Sequence, residues 1–148
     1  MQQALSDAER NHLQVALMFI DLDRFKPIND NHGHAVGDQV LQGLAKRLLG
    51  SVRESDGVGR VGGDEFLVLL PRITHPESAL EVGNKIVRAL REPFHVGDLQ
   101  LKLSCSIGIA LYPEHGRDPI TLARHADQAM YQAKQSGRDR VRLAELSK

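Results

Sequence analysis

The spacing of apolar positions changes several times along the chain, and each change predicts a helix or a strand. The run VALMFI at 15–20 is continuously apolar and stops at Asp21, which is typical of a strand buried on both faces. The segment 21–38 is rich in Asp, Asn, Gly and His and predicts a loop or a broken helix. Apolar residues then recur at helical spacing from Asp38 and again from about Pro76. The residues of these two predicted helix faces are Val40, Leu41, Leu44, Leu48 and Leu49, followed by Leu80, Ile86, Val87 and Leu90.

A strict alternation of apolar and polar residues marks the stretch from Leu99 to Leu111. Every second residue is apolar, whereas the residues that point the other way are Gln100, Lys102, Ser104 and Ser106. This period of two predicts one long strand with a single covered face.

The remaining elements complete a recognisable order. Residues 58–71 predict two strands around a Gly-Gly turn, and a last helix begins at Asp118 and Pro119 and ends near Gly137. The final segment RVRLAEL (140–146) is typical of an edge strand. This order of elements predicts an α+β fold: strand, helix, hairpin, helix, strand, helix and strand. We expect an antiparallel central sheet flanked by helices, with a ferredoxin-like core similar to polymerase palms.

Composition narrows the class of protein. The chain of 148 residues is long enough for one domain, and its formal net charge of zero argues against a broad nucleic-acid surface. It contains no apolar stretch of membrane-spanning length and no signal peptide. The single cysteine, Cys105, is most simply a small core residue. We therefore expect a cytoplasmic domain without nucleic-acid partners and without membrane contact of its own.

Two acidic pairs are the main candidates for chemistry. Asp21 and Asp23 follow the first strand, and Asp64 and Glu65 follow the glycines of the hairpin. In a ferredoxin-like sheet the first strand neighbours this hairpin, so the two pairs meet. Carboxylates that lie close together repel one another unless they bind a cation. Oxygen ligands of this kind suit Mg²⁺ or Mn²⁺. The alternatives are that the first pair caps the following turn and helix and that the second belongs to an ordinary hairpin turn.

Four long motifs in the same order identify a family resemblance. They are FIDLDRFKPINDNHGHAVGDQVL, RVGGDEFLVLL, LSCSIGIALYP and ADQAMYQAKQSGRDR. They closely resemble the GGDEF family, the diguanylate cyclases, over about residues 14–142. Members of this family condense two GTP molecules into cyclic di-GMP and release pyrophosphate.

The resemblance implies a two-metal active site. Asp21 and Asp64 would bind two Mg²⁺ or Mn²⁺ ions through their carboxylates, and Leu22 would contribute its backbone carbonyl. Glu65 would lie beside the metals and help to order them. Either Asp64 or Glu65 would assist deprotonation of the attacking ribose hydroxyl, and the sequence does not choose between them. Asp23 would support the loop or act behind the ligands.

The resemblance also implies a GTP pocket. Asn29 and Asp38 would recognise guanine, although turn and helix-cap roles are common for both residue types. Phe25 and Lys26 would offer backbone N–H groups to phosphates. Lys134 and Arg138, four residues apart at the end of the last helix, would hold the terminal phosphates. The residues implied to bind GTP are Phe25, Lys26, Asn29, His34, Asp38, Gly63, Lys134 and Arg138.

The segment RESD resembles the family's inhibitory product site. Arg53 would clasp a phosphate or guanine of cyclic di-GMP, and Asp56 would bind a guanine edge. An Arg and an Asp three residues apart are equally consistent with an exposed surface pair.

Two functional classes follow from the resemblance. The first is an active cyclase that works as a homodimer, because each domain holds only one GTP. The second is a catalytically silent GTP- or cyclic di-GMP-binding module that regulates a fused domain such as an EAL phosphodiesterase. The family's usual LTGLxNR-like segment is absent, so we expect that residues 1–148 are a single GGDEF domain excised from a longer protein with a sensory domain upstream.

Overall fold

The computed structural model describes residues 1–145. Its helices are α1 (Gln2–Asn11), α2 (Lys26–His32), α3 (His34–Ser51), α4 (Pro76–Arg91) and α5 (Pro119–Gln135). Its strands are β1 (Gln14–Asp23), β2 (Gly57–Gly62), β3 (Glu65–Ile73), β4 (Phe94–Val96), β5 (Leu99–Leu101), β6 (Ser104–Tyr112) and β7 (Arg140–Leu143). None of these helices is long and apolar enough to span a bilayer. The predicted end of the closing strand, Leu146, lies outside the described residues.

Five strands form one sheet in the order β2-β3-β1-β6-β7, and β4 pairs with β5 in a separate hairpin. The pairs β2–β3, β3–β1 and β1–β6 are antiparallel, whereas β6 and β7 run parallel. The central strand β1 therefore has the hairpin strand β3 on one side and β6 on the other. The predicted α+β fold with a mostly antiparallel sheet flanked by helices is confirmed.

Helices cover both faces of the sheet, which buries its central strands on both sides. In β1, Met18 and Ile20 belong to the core beneath α3 and α4. Val15 and Leu17 belong to a second core beneath α1 and α5. Burial of each such side chain contributes about 1.5–3 kcal/mol to stability. The prediction of a strand buried on both faces is confirmed.

The alternating stretch forms two strands rather than the single long strand that the pattern predicts. β5 ends at Leu101 and pairs with β4, and β6 begins at Ser104. The prediction of one covered face is also wrong, because α5 packs on the face of β6 that carries Ser106 and Gly108. These residues are small enough to let a helix come close. A Cβ on Gly108 would lie 2.1 Å from backbone atoms of α5.

The helix expected from Asp38 begins four residues earlier, at His34. Gly33, with φ +88°, separates α3 from the short α2, so the predicted broken helix is confirmed. Leu49 was assigned to the buried face of this helix, but it is 62% exposed. A cavity open to solvent lies between this end of α3 and β2, and Leu49 lines it.

Candidate active site

The end of β1 meets the glycine turn, as the two acidic pairs predict. Asp21 lies opposite Glu65 in the β1–β3 ladder, and the N–H of Leu22 donates to the carbonyl oxygen of Asp64 at 3.3 Å. Gly63 has φ +48°, a conformation that glycine adopts without strain and that lets the chain reverse direction there. The register of the sheet therefore brings Asp64 and Glu65 beside Asp21.

Asp21 is a carboxylate in an unfavourable environment. It is only 8% exposed, and Lys134 Nζ on α5 lies 2.6 Å from its Oδ2. Its Oδ1 is buried and has no hydrogen-bond partner. Burial raises the pKa of Asp21 from 3.8 to about 6; Lys134 opposes this increase, and the negative charge of neighbouring Asp64 adds to it. The site thus carries negative charge that one lysine compensates only in part.

The residues at this point fit a divalent cation. A buried carboxylate oxygen without a partner is an available ligand, and Asp64 lies close enough to raise the pKa of Asp21. In an antiparallel strand the N–H and C=O of one residue point to the same neighbour, so the Leu22 carbonyl also faces the turn. Within residues 1–145, no three His, Cys, Asp or Glu side chains converge into a metal-binding group. Such a sparse donor set suits Mg²⁺, which keeps waters and substrate phosphates as its other ligands.

Asp23 does not cap a helix, contrary to the alternative that its position allowed. No side chain caps α2. Asp23 is 3% exposed and accepts hydrogen bonds from Ser104 Oγ and Ser106 Oγ, each at 2.6 Å. It also accepts from the backbone N–H of Asp139 at 3.0 Å. Asp23 therefore ties β1 to β6 and to the turn that follows α5.

A cavity of about 470 Å³ lies between α3 and β2 on the other side of the hairpin. Asp38 lies on its wall as an exposed carboxylate, next to Arg60, whose Nε donates to the carbonyl oxygen of Gly63 at 2.9 Å. The Asn29 side chain covers Gly37, the residue before Asp38, so closely that a Cβ on Gly37 would lie 1.8 Å from Asn29 Oδ1. The apolar part of the wall comprises Leu41, Ala45, Leu49, Val58 and Phe66.

The other predicted nucleotide residues surround this region without lining the cavity. Phe25 and Lys26 form the start of α2, where backbone N–H groups lack partners within the helix. His34 is exposed at the start of α3, and Gly63 is exposed in the hairpin turn. Of the residues implied to bind guanine or line its pocket, only Asp38 belongs to the cavity wall.

The two predicted phosphate-binding cations do not share a helix. Lys134 lies in the last turn of α5 and pairs with Asp21. The helix ends at Gln135, and Gly137, with φ +123°, turns the chain away. Arg138 therefore lies in the loop before β7, and the prediction that both residues occupy the end of one helix is wrong for Arg138. Both remain at the same end of α5.

Arg53 and Asp56 form a local structure beside a second cavity, of about 400 Å³. Asp56 Oδ2 accepts from the backbone N–H of Arg53 at 2.9 Å, and its buried Oδ1 has no hydrogen-bond partner. The Arg53 guanidinium lies 3.7 Å from the same carboxylate and donates to the carbonyl oxygen of Arg72 at 3.0 Å. The two residues are thus a pair, as the surface interpretation holds, but they line a concave site together with Lys85.

The structure adds residues that sequence reasoning missed. Arg60 connects the cavity between α3 and β2 to the glycine turn, and its position two residues before Gly62 was a signal in the sequence. Asp127 and Tyr131 lie with Asp21 along a third cavity, of about 650 Å³, at the edge of α5. Asp127 and Tyr131 are four residues apart, and Tyr131 precedes Lys134 by three, so all three residues lie on one helix face. This spacing was a signal in the sequence.

Comparison with known proteins places these features in a family. The sequence profile described as "Diguanylate cyclase, GGDEF domain" matches residues 1–140. Diguanylate cyclase TpbB from Pseudomonas aeruginosa is 47% identical over 99% of this chain, which spans 34% of TpbB. Cyclic di-GMP phosphodiesterase PdeR from Escherichia coli is 43% identical over 93% of the chain, which spans 20% of PdeR.

A solved structure agrees with these matches. The crystal structure of the GGDEF domain of TpbB from Pseudomonas aeruginosa superposes with a TM-score of 0.95 at 48% identity, covering 98% of this chain and 91% of that one. The present chain corresponds to about a third or less of the length of the two relatives named above. The profile match over nearly the whole chain and the structural agreement show that the chain belongs to the GGDEF domain family of diguanylate cyclases.

Proposed function

We propose that this chain is an active diguanylate cyclase domain that condenses two GTP into cyclic di-GMP with release of pyrophosphate. The observation that carries the proposal is the position of Asp21 opposite Glu65 and close to Asp64, together with a buried oxygen of the Asp21 carboxylate that lacks a partner. A purely structural turn has no need of several carboxylates at the end of a core strand. The high identity to a protein named as a diguanylate cyclase supports the same function.

The acidic residues would hold the divalent cations and help to order the reacting atoms. Asp21, Asp64 and the carbonyl of Leu22 are the proposed ligands for two Mg²⁺ or Mn²⁺ ions, with Glu65 beside them. Bound metal ions of this kind stabilise the charge of the attacking and leaving oxygens in phosphoryl transfer. Either Asp64 or Glu65 accepts the proton of the attacking ribose hydroxyl.

Positive groups surround the proposed phosphate position. Lys134 pairs with Asp21 in this structure, and we infer that it would hold the terminal phosphates of bound GTP. Arg138, at the same end of α5, is proposed as its partner. The N–H groups of Phe25 and Lys26 point from the start of α2, where the helix favours negative charge.

Guanine selection is assigned to the cavity between α3 and β2. Asp38 accepts from the ring N–H and the exocyclic amine of guanine, a donor pair that adenine lacks. Asn29, held over Gly37, supplies a second polar contact, and His34 and Gly63 lie at the edges of the pocket. Since each domain holds one GTP, catalysis requires two copies face to face.

Product feedback is assigned to the cavity beside Arg53 and Asp56. The unpartnered buried oxygen of Asp56 is an acceptor for the donors of a guanine edge, and the Arg53 guanidinium suits phosphate. Cyclic di-GMP bound there would hold the domain in an unproductive arrangement.

A second candidate function rests on a specific observation. PdeR, 43% identical, is named a cyclic di-GMP phosphodiesterase, so a domain of this sequence type occurs in a protein with the opposite activity. In that role the chain would bind GTP and regulate a fused domain. Both glycines, both acids, Asn29 and Asp38 are present here, which favours the active enzyme.

One experiment separates the two functions. The chain, joined to a parallel leucine zipper that brings two copies together, is incubated with GTP and Mg²⁺, and cyclic di-GMP is measured by chromatography and mass spectrometry. An active cyclase forms the product, and Asp64→Ala abolishes it. GTP binding without product in the dimerised protein would reject the cyclase and support the regulatory module.

A further inference from the structure

Asp23 is a buried carboxylate that the proposed reaction does not use directly. Its three hydrogen bonds all cross to other elements: Ser104 and Ser106 belong to β6, and Asp139 belongs to the turn between α5 and β7. A carboxylate is costly to bury, and the two hydroxyl groups alone do not require one. Hydrogen bonds to an ionised acceptor are stronger than those to a neutral one. The charge of Asp23 is therefore suited to holding the backbone N–H of Asp139 in place.

The turn that Asp23 holds has an unusual backbone. Arg138 and Asp139 both have positive φ, at 62° and 49°, directly after Gly137 at 123°. Two consecutive left-handed residues other than glycine are unfavourable and persist only where surrounding contacts impose them. Here the contacts on the turn come from Asp23 on one side and from Arg91 and the end of α5 on the other.

The contacts on the turn fix Asp139 in particular. Its backbone N–H donates to Asp23, and its carboxylate pairs with Arg91 Nε of α4 at 2.9 and 3.1 Å. The N–H of Arg138 donates to the carbonyl of Ala133 at 2.9 Å, which ties the turn to the end of α5. The position of the Arg138 backbone is thus set by its own helix and by its anchored neighbour.

We propose that Asp23 is a positioning residue that holds Arg138 against the terminal phosphates of GTP, acting through the backbone N–H of Asp139. This inference rests on the proposed function, because it takes Arg138 as a phosphate-binding group. Asp23 follows Asp21 by two residues on the same face of β1, so a single strand end would set both the metal ligand and the phosphate-binding turn.

The test compares GTP with GMP, which lacks the terminal phosphates. Affinities are measured by calorimetry, with Ca²⁺ in place of Mg²⁺ to limit turnover. Arg138→Ala should weaken GTP binding roughly tenfold and leave GMP binding unchanged. Asp23→Ala should do the same, and the double variant should lose no more than either single variant. Asp23→Asn should restore most of the GTP affinity, because its oxygen can still accept from Asp139.

Two matched variants separate positioning from general stability. Ser104→Ala removes one hydrogen bond to the same Asp23 oxygen without touching the turn, and it should leave the GTP-to-GMP ratio unchanged. Asp139→Gly keeps the backbone N–H that donates to Asp23 and removes only the ion pair with Arg91, so it should lower that ratio less than Asp23→Ala does.

The outcomes are distinguishable. If Arg138→Ala leaves the ratio unchanged, the proposed phosphate role of Arg138 is rejected, and the positioning inference with it. If Arg138→Ala lowers the ratio but Asp23→Ala does not, or if Asp139→Gly lowers it as much as Asp23→Ala, the inference about Asp23 alone is overturned. Equal losses of GTP and GMP affinity in Asp23→Ala would likewise reduce Asp23 to a structural residue.

Discussion

Neutralising Asp21 should stabilise the metal-free protein while destroying its response to Mg²⁺. The substitution Asp21→Asn keeps the shape of the side chain and removes its charge. Burial raises the pKa of Asp21 from 3.8 to about 6, so its charged form is disfavoured in the folded state. The stabilising contribution of its protonated form is complete below about 3.8 and is lost as the pH rises through about 6.

The size of the effect follows from this difference in pKa. A rise from 3.8 to about 6 corresponds to about 3 kcal/mol between protonated and charged Asp21, at roughly 1.4 kcal/mol for each pKa unit. The opposing effect of Lys134 is already contained in the raised pKa. At pH 7, Asp21→Asn should therefore increase the free energy of unfolding by up to about 3 kcal/mol, and near pH 4 the difference should largely vanish.

The assay is urea unfolding from pH 4 to pH 7 in the presence of a chelator, repeated with Mg²⁺. Asp127→Asn is the matched control, since it removes one exposed carboxylate from the wall of the cavity that Asp21 also lines. Mg²⁺ should stabilise the wild type and the control at pH 7 but not Asp21→Asn, because a ligand stabilises only the state that binds it. A variant no more stable than the wild type at pH 7, or a difference that stays constant with pH, would refute the reasoning.

Three further predictions concern packing, feedback and specificity. Gly108→Ala should lower the free energy of unfolding by about 1–3 kcal/mol or more in urea titrations, because the added Cβ would overlap the α5 backbone. Gly50 has open space around it, so the control Gly50→Ala should be neutral or stabilising. Equal effects of the two substitutions would contradict the close packing of α5 on β6. Arg53→Ala should weaken cyclic di-GMP binding roughly tenfold or more by calorimetry, and unchanged affinity would leave RESD as a surface pair. Asp38→Ser should weaken GTP binding and narrow the preference for GTP over ATP, measured with Ca²⁺ present; an unchanged preference would place guanine recognition elsewhere.

The sequence alone was sufficient for the features that depend on local spacing. The continuous apolar run of β1 implied burial on both faces, and the glycine pair with its acids implied a turn beside Asp21. Both follow from short-range rules, because the period of the apolar pattern determines which faces are covered and antiparallel pairing determines which strand ends meet. The α+β architecture was predictable for the same reason.

Other features depend on which element packs against which, and only the tertiary structure decided them. The alternation placed Ser106 on an uncovered strand face, but Ser106 and Gly108 lie on the face of β6 against which α5 packs. The same packing brings Lys134 to Asp21 and lets Asp23 anchor a turn that lies 116 residues further along the chain. A small side chain is compatible with solvent and with close helix packing alike, so its sequence pattern cannot distinguish an open strand face from a helix-covered one.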